Sequence, residues 1–212
     1  MKLGNSKIIK CPYCGTIKEL MTLLSGDTFG AQFWSDGKMI ASRLPEVSFV
    51  QKCHGCGKYY FGFEVPTEKG DNVSFELGTL TYQEWKEAYF QFSNDDEHEG
   101  IMEYLKFFLI QAYNDYFRGG TTSFPAQEDD TFIIDIIKEY IDLKDWSITT
   151  PLLKAELYRE ANEMEKCAEV LSKIEEKNLN YYEGKCLSLE KVDSQKAKRD
   201  VKLSNIEKRD VL

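Results

Sequence analysis

Only two histidines, His54 and His98, occur in the 212 residues. Histidine-based catalysis and His-rich metal sites therefore have little material. Long apolar runs are also missing. The opening MKLGNSKIIKCPY has no apolar stretch of signal-peptide length. No stretch approaches the ~20 apolar residues of a membrane span. The expectation is a soluble, cytoplasmic protein without a membrane partner. Nucleotide motifs are lacking too. Gly37-Lys38 suggests a phosphate loop, but the earlier glycine of that loop is absent and Met39 replaces the Ser/Thr that would hold magnesium. No dinucleotide fingerprint or serine-nucleophile elbow occurs. The carboxylates at 95–99 and 127–142 read as solvated helix faces rather than as an acid/base pair. No candidate catalytic residue emerges.

What is present suffices for a core: 42% of residues are hydrophobic, with 12 Tyr and 13 Phe, too aromatic for a disordered chain. The net charge of -9 is uneven. Residues 1–70 hold nine Lys/Arg against six Asp/Glu, residues 71–189 hold 11 against 25, and residues 190–212 hold seven against five. An acidic middle repels phosphate backbones and argues against nucleic-acid binding by the whole chain. The mildly basic N-terminal part remains open to it.

Four of the six cysteines form two close pairs, Cys11-Pro12-Tyr13-Cys14-Gly15 and Cys53-His54-Gly55-Cys56-Gly57. Two thiolates separated by two residues can grip one tetrahedral ion from a tight turn. The following Gly lets the chain turn back with backbone N–H groups aimed at sulfur. Two such knuckles complete a four-thiolate structural zinc site, so Cys11, Cys14, Cys53 and Cys56 are the expected Zn2+ ligands. The 38 residues between the pairs exceed the ~15–20 of a compact ribbon, and a hairpin around Asp36-Gly37 accounts for the excess. His54 reads as an exposed knuckle residue.

Elements follow from periodicity. Residues 1–70 read as β-rich: strands near Ser6–Lys10 and Ser48–Lys52, a hairpin of Ala31–Ser35 with Lys38–Ser42, and Tyr59, Phe61, Phe63 and Val65 alternating with polar or small residues. Pro66–Asn72 is a polar break, and Val73–Leu77 a last strand. Thr81 and Glu84 form a capping box before a helix carrying Trp85, Ala88, Tyr89 and Phe92. A second helix starts at Asp95-Asp96-Glu97, carries Ile101, Tyr104, Leu105, Phe108, Leu109 and Tyr113, and stops at Gly119-Gly120. A third spans Glu128–Leu143. Thr150-Pro151 starts a fourth, Asn162 breaks it, and Glu163–Ile174 forms the next. Tyr181–Leu189 begins another, and Glu190–Leu212 is a charged helical or frayed tail. The expected organisation is α+β: a zinc-ribbon-like β module over 1–70, an all-α helical-hairpin domain over 71–189, and the tail at 190–212.

Three resemblances follow from these residues. Cys11-Pro12-Tyr13-Cys14 is the active-site tetrapeptide of glutaredoxins, set before a helix-like TIKELMTLL, which implies thiol redox chemistry. Against this, Leu44-Pro45-Glu46-Val47 comes too soon to be that family's cis-proline loop, and the second CxxC goes unexplained. Leu152–Ile174 resembles a tetratricopeptide repeat, with Ala155, Tyr158, Met164, Cys167, Leu171 and Ile174 near its packing positions and Asn162 where that repeat has Gly. Cys167 and Cys186 then read as core residues. Residues 8–62, with Trp34-Ser35-Asp36-Gly37-Lys38 between two CxxCG knuckles, resemble a group of uncharacterised bacterial proteins with a zinc-ribbon-like start and a repeat-like helical region. That group implies a fold and a bacterial setting, and no activity. In this chain Ala41-Ser42-Arg43 replaces the group's Ala-Pro-Met.

The expected function is that of a non-enzymatic, zinc-stabilised interaction or scaffold protein that binds another protein. The first alternative is a nucleic-acid-binding zinc ribbon, using Lys7, Lys10, Lys18, Lys52 and Lys58 with Phe33, Trp34, Tyr59 and Tyr60 as stacking groups. The second is a CPYC thiol oxidoreductase.

Overall fold

The computed structural model describes residues 1–69, 79–94, 100–118, 125–144 and 151–173. Outside the described residues lie the expected strand Val73–Leu77, the helix start at 95–97 with His98, the Gly119-Gly120 stop, the Thr150 cap, Ile174, the Tyr181–Leu189 helix, Cys186 and the tail 190–212. Short antiparallel strands in the N-terminal half precede five described helices, an α+β arrangement.

The strands are β1 (Lys2–Leu3), β2 (Lys7–Lys10), β3 (Ile17–Leu20), β4 (Leu23–Ser25), β5 (Gln32–Phe33), β6 (Met39–Ile40), β7 (Val50–Lys52), β8 (Tyr59–Phe61) and β9 (Thr67–Lys69). The helices are α1 (Tyr82–Phe92), α2 (Met102–Arg118), α3 (Gln127–Leu143), α4 (Pro151–Glu160) and α5 (Met164–Ser172). The described residues of Met1–Gln32 with Met39–Leu105 form one compact unit, and those of Phe33–Lys38 with Lys106–Leu212 another.

In the first unit a sheet of order β3-β2-β9 carries the first cysteine pair and a β7-β8 ribbon carries the second. β2 pairs antiparallel with both neighbours, Lys10 opposite Ile17 and Ile9 opposite Thr67. Three details depart from the expected pattern. Thr67–Lys69 lies in the supposed polar break yet forms β9, with all three residues exposed. An edge strand is held by its backbone and needs no apolar side chains. The TIKELMTLL segment forms β3 and β4 and no helix. The alternation from Tyr59 stops after β8, where Glu64 N–H donates to Phe61 O at 3.1 Å and turns the chain, leaving Phe63 64% exposed.

The capping box at α1 is present: Thr81 Oγ1 accepts from Glu84 N–H at 3.3 Å, and Glu84 Oε2 accepts from Thr81 N–H at 3.0 Å. Its buried face is Tyr82, Trp85, Ala88 and Phe92. Phe61 stacks on Phe92 with centroids 4.5 Å apart, and Phe49 lies 6.1 Å from Trp85. Aromatic pairs of this kind contribute about 0.5–1.5 kcal/mol beyond their area.

In the second unit the periodic residues of α3, Ile133, Ile136, Ile137, Tyr140 and Ile141, are buried as expected. On the part of α2 in this unit, Leu109 and Tyr113 are buried; on its part in the first unit, Leu105 is buried and Tyr104 is 58% exposed. α4 and α5 pack as a helical hairpin, and α3 packs on α4. Asn162 makes the break between α4 and α5 with φ of 60°, the left-handed conformation Asn tolerates. Cys167 is buried in α5.

Candidate metal centre and a buried ion cluster

Each cysteine pair closes on itself with the same backbone bonds. Cys11 N–H donates to Thr16 O at 2.9 Å and Gly15 N–H to Cys11 O at 3.0 Å; Cys53 N–H donates to Lys58 O at 2.9 Å and Gly57 N–H to Cys53 O at 2.8 Å. Gly15 and Gly57 hold φ of 78° and 74°, the left-handed region where a Cβ is strained. The turns also aim matching N–H groups at sulfur. Cys11 Sγ accepts from Tyr13 and Cys14, Cys53 Sγ from Gly55 and Cys56, Cys14 Sγ from Thr16, and Cys56 Sγ from Lys58.

The two turns bring all four Sγ atoms within 4.8 Å of one another. Across the turns, Cys14 and Cys53 are 3.5 Å apart and Cys11 and Cys56 are 3.8 Å apart. A tetrahedral four-thiolate zinc with Zn–S near 2.3 Å has S···S edges of about 3.8 Å. The four cysteines are thus close enough to hold one metal ion. Cys11 and Cys53 are buried with Ile9, Tyr60 and Val65, while Cys14 and Cys56 face solvent. His54 is exposed and is not among the clustered ligands.

The four thiols are shifted in both directions; at Cys53 burial raises the thiol, but the Cys56 and Gly55 N–H groups outweigh it and the thiol is lowered. The Thr16 hydroxyl and then its N–H bring the Cys14 thiol down to about 6. Burial pushes the Cys11 thiol up. At Cys56 the Lys58 N–H lowers the thiol, but burial and the three neighbouring sulfurs outweigh it and push it to about 12. Four crowded sulfurs cannot all carry charge alone, and a divalent ion removes that repulsion.

Trp34–Lys38 sits elsewhere. Trp34 N–H donates to Lys38 O at 2.8 Å and Gly37 N–H to Trp34 O at 3.0 Å, a three-residue loop with Gly37 at φ of 82°. The loop belongs to the second unit, where Asp36 and Trp34 are 3% and 7% exposed. Asp36 pairs with Arg118, whose guanidinium lies 5.3 Å over the Trp34 ring. Asn114 Nδ2 donates to Asp36 Oδ2 and to Glu160 Oε1, both at 2.9 Å. Lys38 Nζ lies 2.5 Å from Asp115 Oδ2, and Arg118 Nη1 lies 2.6 Å from Asp115 Oδ1. Burial lowers Arg118 to about 10, with Glu160 and Glu156 opposing. On α4, Arg159 grips the fully buried Glu156 through two hydrogen bonds of 3.0 and 2.6 Å. Periodicity could not show this cluster, because charged residues in a helical pattern are ordinarily counted to the solvated side.

No protein-family model matches the chain, and no curated protein or solved structure is significantly similar to it. Among the described residues no helix is long and apolar enough to cross a membrane.

Proposed function

We propose that the chain is a non-enzymatic interaction or scaffold protein whose N-terminal unit is held together by one structural Zn2+ on Cys11, Cys14, Cys53 and Cys56. The observation that carries this reading is the closed set of four sulfurs within 4.8 Å, each served by backbone N–H groups. Four thiolates fill a tetrahedral zinc and leave no position for substrate, so the ion supplies folding energy rather than catalysis. The strand after Cys14 also supports it: a redox CxxC gains reactivity from a following helix N-terminus, and β3 supplies none. For a partner, the first unit offers Phe63 and Tyr104, 64% and 58% exposed, with ring centroids 6.4 and 6.2 Å from that of Phe49. Exposed aromatics on a rigid base are favoured contact residues.

The test is cross-linking capture from bacterial lysate with the full chain and with a Phe63→Ser/Tyr104→Ser variant. The same protein captured by the parent and lost by the variant supports the reading. Equal capture by both, or none by either, contradicts it.

A nucleic-acid reading keeps one specific observation. Tyr13 is 50% exposed beside the first knuckle, with Lys58 Nζ 4.7 Å over its ring. Four of the groups it would use are engaged. Tyr59, Tyr60 and Trp34 are buried, and Lys52 pairs with Glu84 and Glu87. Salt-sensitive binding of single-stranded DNA or RNA that Tyr13→Ala weakens would favour this reading over the first.

A further inference from the structure

The side-chain amide of Gln91 acts as a one-residue β-strand. Its Oε1 accepts from Tyr59 N–H at 2.9 Å and its Nε2 donates to Tyr59 O at 2.6 Å. Across the β7-β8 ribbon, Tyr59 stands opposite Lys52. Gln91 therefore pairs an edge of β8 that the ribbon leaves open. That edge starts at the second knuckle, where Lys58 O holds Cys53 N–H at 2.9 Å. The same helix face grips both flanks of the knuckle. Tyr59 Oη donates to Glu87 at 2.6 Å, and Lys52 Nζ lies 3.3 Å from Glu84 and 3.4 Å from Glu87. Lys52 immediately precedes Cys53, and Tyr59 follows Cys56 by three residues.

We propose that metal loading at the four cysteines controls the docking of α1, with Gln91 on the Tyr59 backbone as the linkage. The metal-loaded chain holds β8 in register and keeps α1 in place; the metal-free chain releases α1 and uncovers the apolar face of Phe61, Trp85 and Phe92. This rests on the zinc reading above. α1 has 11 residues, below the ~12–15 at which an isolated helix is even marginal in water, so release also unwinds it. The two hydrogen bonds of Gln91 contribute far less than a structural zinc does. The ion therefore dominates whether the edge that α1 grips exists.

Hydrogen exchange by mass spectrometry on the full chain tests this, with zinc content measured on each sample. Samples are zinc-loaded, chelator-treated, reloaded with zinc, and a zinc-loaded Gln91→Leu variant. The expected result is one zinc per loaded chain and protection of Tyr82–Phe92 that falls at least tenfold on chelation and returns on reloading. Protection of Gln127–Leu143 should stay unchanged. Gln91→Leu should keep its zinc while α1 protection drops several-fold. Unchanged α1 protection after demonstrated zinc removal overturns the proposal, as does parent-like protection in Gln91→Leu. Equal loss over α3 overturns it as well, because the change is then global unfolding. A parent chain that takes up no zinc fails the metal reading itself, which the zinc content reports separately.

Discussion

The Sγ atoms of Cys14 and Cys53 lie 3.5 Å apart although they come from different knuckles. A metal ion held by all four sulfurs would tie the position of each knuckle to the other. Cys53→Ser should remove zinc and unfold the first unit, because a structural zinc contributes about 10–16 kcal/mol and a whole domain is stable by about 5–15. Zinc stoichiometry and near-ultraviolet circular dichroism check this. A folded variant with parental thermal stability would contradict it.

The glycine at position 57 has open space where a Cβ would stand, so Gly57→Ala is opposed only by its φ of 74°. The expected loss is about 1–2 kcal/mol in denaturant unfolding, with one zinc retained. Gly55→Ala should cost more. Its Cβ would come within 2.2 Å of Thr16 Oγ1, the hydroxyl that bonds Cys14 Sγ at 3.1 Å. A side-by-side unfolding series orders the two.

Acid should loosen the seat of α1 before it reaches neutral groups. The Tyr59 hydroxyl holds Glu87 below its ordinary value, and Lys52 adds to this. At Glu84 burial pulls upward, but the Thr81 hydrogen bonds and Lys52 outweigh it and the pKa is again lowered. Folded carboxyls with depressed pKa values contribute stability that is fully present above the unfolded value, 4.5 for each, and is lost as pH falls through the folded values. Glu87→Gln should flatten the stability-versus-pH curve below about pH 4.5 and leave it unchanged at pH 7 to 8 in shape. Both groups are partly exposed, so the effect should also shrink in high salt.

In the second unit, the ion pair of Asp36 with Arg118 is buried on both sides. Asp36→Asn removes a buried counter-charge from the guanidinium, leaving the more exposed Asp115, and should cost about 3–5 kcal/mol. The double variant Asp36→Asn/Arg118→Met removes both charges and should recover a large part of that loss. Double-mutant unfolding measures the coupling, and additive losses would contradict the pairing.

How much of this could be read from the chain depends on whether a feature is local. The two Gly-terminated CxxC turns, the Thr81–Glu84 box, the Asn162 break and the α3 stripe are each set by a few neighbouring residues, and each appears in the structure. The sequence of β9 looks like a break because its pairing with β2 is written in backbone groups, which composition does not report. The Asp36-Gly37 turn was legible, but its capture by Asn114 and Arg118 was not, since those partners lie far along the chain. Trp34, a stacking group in the nucleic-acid reading of the sequence, is instead buried with the Arg118 guanidinium over its ring, a partner 84 residues away that local pattern does not report. The attachment of α1 to Tyr59 was invisible for the same reason: Gln91 is a polar residue in a helix, and only the fold brings an open strand edge to it.

The most direct test of the central claim is metal analysis of the freshly purified full chain combined with thiol alkylation. One zinc per chain is expected, with Cys11, Cys14, Cys53 and Cys56 protected until a chelator is added and then modified together. No bound metal, with Cys14 alkylated rapidly and alone, would contradict a closed four-thiolate centre and return the first knuckle to thiol chemistry.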